Sequence, residues 1–435
     1  MSARASSAGG AATTSSPKGL FSPDRLIWWL LLAAGVLRVA ALLDKGFMYD
    51  GGFSDAIGYV SAARTLAATG RLTFLGTSPS ATVMPGFVAL IAPAFLVSKV
   101  RFVQYLIIKV AMIAASLASI LVLYVLGRRI AGRRPGLIAA AFLAVSLPHI
   151  YAGTLALTEN VFQLLLLALI LLIIRLGDDP GWRRLMWCAV VFCAAVYVRQ
   201  TALVCLPGAL VYLLVRRYPP RLLLRQVLAV ALIATIALTP WWIRNHQVFG
   251  EFVPFTTNGS YAVYEGTFQH FEPYDGRAFA AMDRLLTGVG GSEVVKNRLL
   301  GEAARARLAS RLAGDPWGLV TDYLVRKPAA AWLLPFYWDR VLGVSGYWIL
   351  RLNALGSVLG FFLLGWYSFR SRARAEYLLL LAHVALITVG AACYLGLSRY
   401  VYPFMPLLYI GIASFLEGII VRVACQASAL RPRSR

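Results

Sequence analysis

Apolar runs close to the ~20 residues that cross the hydrocarbon of a bilayer recur along almost the whole 435-residue chain. They fall at about 26–43, 103–126, 136–150, 158–175, 185–198, 201–215, 222–240, 347–367, 376–396 and 401–421. In hydrocarbon every backbone N–H and C=O must be paired internally, so runs of this kind fold as helices. A soluble core has no use for so many. With 59% hydrophobic and 14% charged residues, the expected fold class is an all-α polytopic membrane protein with about 10 (10–13) transmembrane helices.

The formal charge of +23 would suggest nucleic acid as a partner in a soluble protein. Here the positive residues gather in short loops between apolar runs, as the positive-inside rule requires, and the expected partner is the lipid bilayer, with no nucleic acid. With a cytoplasmic N-terminus, the even-numbered connections carry Arg128, Arg129, Arg133 and Arg134, then Arg175, Arg183 and Arg184, then Arg216, Arg217, Arg221 and Arg225, then Arg370, Arg372 and Arg374. Residues 1–25 read as a disordered cytoplasmic tail, 26–421 as the membrane domain and 422–435 as a basic cytoplasmic tail. This parity requires that Met84 to Ser98, 15 residues with Pro85 and Pro93, lies in the interface instead of crossing.

Two segments, 44–102 and 241–345, then face outside, and the second holds ten of the chain's 19 acids. The polar chemistry is expected on that face. Cys188, Cys193, Cys205, Cys393 and Cys425 form no disulfide framework and, like the four histidines, show no metal-ligand spacing. There is no fixed-period repeat and no pair of matching halves such as many transporters carry.

Within the first outside segment, Asp55, Tyr59, Ala62 and Leu66 share one helical face, and Gly70 is the expected stop. An acid in a first turn complements the positive end of the helix dipole, so Asp55 has a structural as well as a chemical reading. Glu159 reads equally as a helix-entry acid or a functional group at the outer end of a span. Arg199 and Arg244 lie at the outer boundary, where they either snorkel to headgroups or bind a lipid phosphate. Trp241 and Trp242 suit the headgroup level.

The stretch "SDAIGYVSAARTLAATG" after a first span, followed by a Pro-containing apolar stretch, resembles the first extracytoplasmic loop of the GT-C glycosyltransferases. The similarity is to the family 39 group of protein mannosyltransferases and aminoarabinose transferases. "LALTENVFQLLLLALILLI", "VYVRQTALVCLPGALVYLL", "LTPWWIRNHQVFGEFVPFTTNGSYAVYEG" and "LSRYVYPFMPLLYIGIA" resemble later segments of that family in the same order. The resemblance implies a GT-C architecture with interfacial helices in the first outside loop. It implies Asp55 as the catalytic residue, with Asp50 as the alternative. It also implies substrate-binding roles for Tyr59, Glu159, Arg199, Arg244, Arg399 and Tyr400. One departure stands out: Val83-Met84 precedes Pro85, where the aminoarabinose transferases carry Glu-Lys.

The expected activity is therefore an inverting transfer of a sugar from a polyprenyl-phosphate donor to a protein, lipid or glycan acceptor. Asp55 would serve as general base at the outer face of the cell membrane. No cofactor is required by this chemistry, although a divalent metal is compatible with it. The alternatives are a lipid-linked glycan ligase of the same fold, or a membrane transporter. The acids collect outside the spans, which separates the chain from the second of these.

Overall fold

The structure is a computed structural model that describes residues 23–48, 52–271, 275–290, 292–335 and 340–429. Residues 1–22 and 430–435 of the two expected tails, together with Asp50, Glu272 and Asp339, lie outside the described residues. The chain opens with α1 (Pro23–Lys45), α2 (Ser54–Thr69), α3 (Pro85–Ile91) and α4 (Pro93–Val97). It continues through α5 (Arg101–Ala131), α6 (Arg133–Val145), α7 (Leu147–Ala152), α8 (Thr158–Asp178), α9 (Trp182–Val198), α10 (Cys205–Val215) and α11 (Pro220–Phe249). The large loop forms α12 (Gly259–Gly266), α13 (Gly276–Leu286), α14 (Glu293–Gly314), α15 (Pro316–Thr321) and α16 (Lys327–Leu333). The chain closes with α17 (Gly346–Arg370), α18 (Arg374–Cys393), α19 (Ser398–Val401) and α20 (Met405–Ala429).

Each of the ten expected spans is met by a helix. Among the described residues, seven helices are long and apolar enough to cross a membrane; α6, α9 and α10 are shorter. The chain is a multi-pass membrane protein. Residues such as Trp28, Leu32, Leu228, Leu232, Ile236, Leu355 and Phe362 are exposed on the outer helix faces, where only lipid makes so much apolar surface stable. The stretch from Met84 to Ser98 breaks into α3 and α4, each with proline in its first turn, where the missing N–H costs no helical hydrogen bond. Neither piece is long enough to cross.

The arginine-rich connections meet at one end of the bundle. Asp178, at the end of α8, accepts from Arg129 of α5 at 2.6 Å and from Arg216, just past α10, at 3.2 Å; Arg216 also lies 3.8 Å from Glu376 at the start of α18. The C-terminal ends of α5, α8 and α10 and the N-terminal end of α18 thus lie together at one end of the bundle. At the opposite end, α2, α3 and α4 cover the tips of α5 and α9. Gly86 of α3 packs so tightly on α9 that a Cβ there would come within 2.6 Å of the Tyr197 carbonyl oxygen.

Inside the bundle, the fully buried Arg38 of α1 donates to Ser116 Oγ at 2.8 Å and to the Ala34 and Ala144 carbonyls at 3.1 Å each. These bonds tie α1 to α5 and α6 and satisfy a cation that lipid would not tolerate unpaired. The large loop has a small core of its own around Tyr264, Phe268, Met282 and Leu300. Glu293, at the start of α14, clamps that loop to the first one. It accepts from the Ala81 N–H at 2.9 Å, from Thr82 Oγ1 at 3.1 Å and from Thr257 Oγ1 at 2.9 Å.

Candidate active site

Four helix ends deliver four charged side chains to one point. α2 runs from Ser54 to Thr69 and stops at Gly70, which takes the left-handed conformation (φ 70°) and returns its N–H to the Leu66 carbonyl. This places Asp55 in the first turn and Tyr59 one turn later on the same face, both toward the bundle. Glu159 stands in the first turn of α8, Arg199 immediately follows α9, and Arg399 belongs to the single turn of α19.

Arg399 is the hub. Its Nη1 donates to Asp55 Oδ2 and its Nε to Glu159 Oε1, so one guanidinium bridges two carboxylates. Arg199 Nη1 lies 2.9 Å from the same Glu159 oxygen and donates to Thr158 Oγ1 at 3.1 Å. The four charges sum to zero, which makes the cluster tolerable next to a membrane. Their exposures differ: Glu159 is 0% exposed, Arg199 and Arg399 12% each, and Asp55 37%. Asp55 is the member that a solvent-borne molecule reaches, and it is held from behind by a cation.

Aromatic rings wall the cluster. Tyr59 packs edge-on against Phe74 at 5.4 Å and Phe87 at 5.0 Å. Burial pushes its phenol up to about 12, against the opposing influence of Arg399, so Tyr59 is a neutral hydrogen-bonding group at working pH. The Arg199 guanidinium lies 6.0 Å from the Phe162 ring and 6.0 Å from the Tyr400 ring, flanked by both beside its ion pair with Glu159.

Of the residues singled out in the sequence, Asp55, Tyr59, Glu159, Arg199, Arg399 and Tyr400 converge here. Arg244 does not join them. It donates to the Leu72 carbonyl at 3.1 Å and to Asn245 Oδ1 at 3.0 Å, with its guanidinium 5.2 Å from the Trp241 ring. In this position it braces the loop that follows α2. Trp241 and Trp242 turn their indole N–H groups to the Phe255 and Pro254 carbonyls, each at 2.8 Å, and fasten the segment that enters the large loop.

Two groups near the cluster escaped the sequence reading. Glu265, in α12, is buried and within electrostatic reach of Tyr400, and its Oε1 has no hydrogen-bond partner. Burial pushes its carboxyl up to about 7. Lys327, in α16, is fully buried, donates to the Ala392 and Tyr394 carbonyls at 3.2 Å each, and is lowered to about 7 by burial. In the sequence they are two ordinary charges among many in a polar loop.

Among the described residues, no group of three or more His, Cys, Asp or Glu side chains converges as a metal-binding set. The Arg399 guanidinium fills the place between Asp55 and Glu159 that a bridging cation would need. Among the described residues, the side chains at the cluster do not fit a divalent ion.

A family model described as dolichyl-phosphate-mannose-protein mannosyltransferase matches residues 83–243. A sequence comparison with curated proteins returns no match. Among solved structures, the chain resembles the oligosaccharyltransferase AglB from Archaeoglobus fulgidus in complex with an inhibitory peptide and a dolichol-phosphate. The TM-score is 0.58 at 13% identity, over 95% of this chain and 53% of that one. The apo form of the Archaeoglobus fulgidus oligosaccharyltransferase gives a TM-score of 0.58 at 12% identity, over 96% of this chain and 53% of that chain. ArnT from Cupriavidus metallidurans bound to undecaprenyl phosphate gives 0.44 at 14% identity, over 89% of this chain and 78% of that one. The chain thus spans about half the length of the oligosaccharyltransferase it resembles. Over 95% of its length the chain shares the fold of the Archaeoglobus fulgidus oligosaccharyltransferase.

Proposed function

We propose that the chain transfers a sugar from a polyprenyl-phosphate donor to the hydroxyl of a protein, lipid or glycan acceptor, with inversion, on the extracytoplasmic face of the cell membrane. The observation that carries this reading is the exposed Asp55 carboxylate, held by Arg399 in front of the buried Glu159–Arg199 pair. Such a donor needs no nucleotide, because its anomeric carbon already carries a phosphate leaving group. It needs cations for that phosphate, and a base for the acceptor proton.

Asp55 takes the proton from the acceptor oxygen as that oxygen attacks the anomeric carbon. The bond from that carbon to the phosphate oxygen breaks, and its electron pair leaves with the polyprenyl phosphate. Arg199 and Arg399, fixed by Glu159, offset the charge that grows on the departing phosphate. Glu159 is a positioning residue in this scheme, and Tyr59 and Tyr400 line the sugar's path as neutral groups. The family match over residues 83–243 and the GT-C fold support the reading.

The test is a transfer assay with the purified chain, radiolabelled polyprenyl-phosphate sugars and candidate acceptors. Asp55→Asn keeps the shape of the side chain and removes the base. Turnover is expected to fall roughly 100 to 10,000-fold. Near wild-type turnover of Asp55→Asn beside an inactive Asp50→Asn would transfer the role to the neighbouring acid.

A further inference from the structure

A polar cavity lies on the far side of α2 from the charged cluster. It has a volume of about 480 Å³ and is lined by Arg64, Phe95, Leu96, Lys99, Arg101 and Gln104. That size falls in the range of small-molecule sites. Arg64 follows Asp55 by nine residues, which at 3.6 residues per turn turns it about half a revolution away from the catalytic face. The floor comes from α4 and the first turn of α5, at the end of the bundle opposite the Arg129–Asp178–Arg216 network.

The cavity's charge is unbalanced. Three cations line it and no acid does. In the sequence no acid occurs between Asp55 and Glu159. Among the described residues, Arg64 and Arg101 have only ring partners: Arg64 lies 5.5 Å from the Phe95 ring and Arg101 5.7 Å from the Tyr105 ring. Like charges gathered without a counter-charge repel, and an anion relieves this. Nor does topology account for them, because positive-inside bias places cations at the other end. The first turn of α5, a 31-residue helix, adds the positive end of its dipole.

The cavity's margin is apolar. Leu96, Val97, Val100 and Phe102 are exposed beside the cations, on α4 and at the start of α5. A charged recess beside an exposed apolar strip matches an amphiphile: a phosphate at the head, a hydrocarbon chain below. We propose that this cavity binds the phosphodiester headgroup of an anionic phospholipid, with Arg64, Lys99 and Arg101 on the phosphate and Leu96 and Val97 against the first methylenes. The site is independent of the transfer reaction. A headgroup bound there ties the C-terminal half of α2 to α4 and α5, and so steadies the helix whose first turn carries Asp55.

The test uses the purified full chain in detergent, with phosphatidylglycerol, phosphatidylcholine and inorganic phosphate as separate probes. Bound lipid is counted by native mass spectrometry, and stabilisation is read from the thermal midpoint. Wild type is expected to bind phosphatidylglycerol in preference to phosphatidylcholine and to be stabilised by it, with weaker binding as salt rises. The triple variant Arg64→Gln, Lys99→Gln, Arg101→Gln is expected to bind it about tenfold or more weakly, since charge-assisted hydrogen bonds are lost. All three side chains are exposed. Arg64→Gln alone therefore serves as a second variant, expected to show a smaller loss in the same direction. Equal phosphatidylglycerol binding by wild type and variants would overturn the proposal. So would equal binding of phosphatidylcholine, or full stabilisation by inorganic phosphate alone.

Discussion

Arg399 and Asp55 stand 344 residues apart in the sequence and form an ion pair at the mouth of the charged cluster. The same guanidinium holds Glu159 in the interior, so the position of the exposed carboxylate is set by a buried one through a single rigid cation. Four expectations follow from this geometry and its surroundings.

Glu159 and Asp55 should separate stability from turnover. Glu159 is fully buried between two arginines, and removing one partner of a buried charge pair typically costs about 3–5 kcal/mol. Glu159→Ala should therefore lower the thermal midpoint strongly. Asp55→Asn should leave the midpoint nearly unchanged, because Asp55 is 37% exposed and asparagine serves a first helical turn about as well. Equal midpoints for both variants would contradict the nested arrangement.

The arginines should separate by Michaelis constant. Arg199→Ala and Arg399→Ala are expected to raise the donor KM at least about tenfold, the loss of one charge-assisted contact. Arg244 braces Leu72 and Asn245 outside the cluster, so Arg244→Ala should lower stability and move donor KM less. A donor KM raised as far by Arg244→Ala as by Arg199→Ala would return that residue to the donor site.

The large loop should be least stable near pH 7. Glu265 is raised to about 7, so the native state holds a proton that the unfolded chain has released, and stability falls as pH rises from about 4.5 to 7. Lys327 is lowered to about 7, so the unfolded chain holds the extra proton, and stability rises from about 7 toward 10.5. Each limb amounts to a few kcal/mol at most. Hydrogen exchange of α12 and α16 measures it. Glu265→Gln should flatten the acid limb alone, and Lys327→Met the alkaline limb alone; an unaltered profile in both would refute the assignment.

The two outside segments should label together. Cys393 and Cys425 are exposed and are replaced by serine first. Cysteines at Ser78 and Gly290 should then react with a membrane-impermeant thiol reagent from outside intact cells, and a cysteine at Gly181 should not. Labelling of Ser78 without Gly290 would break the parity.

Much of this was legible in one dimension because the bilayer is a demanding solvent. Paired backbone groups and ~20-residue spans force helices, and proline and glycine mark their ends, as at Pro85, Pro93 and Gly70. Arginine placement reads out the shared end formed by Arg129, Asp178 and Arg216. The face shared by Asp55 and Tyr59 follows from helical period alone. What the sequence could not state is which helix ends touch. Residues 55, 159, 199 and 399 meet through packing of α2, α8, α9 and α19, and no local rule encodes contacts over such separations. For the same reason Arg244, indistinguishable from Arg199 as a boundary arginine, turns out to brace a loop. The cavity at Arg64, Lys99 and Arg101 is a product of that packing too, assembled where three elements meet. Local chemistry sets each helix; the burial of their faces against one another decides which charges become neighbours.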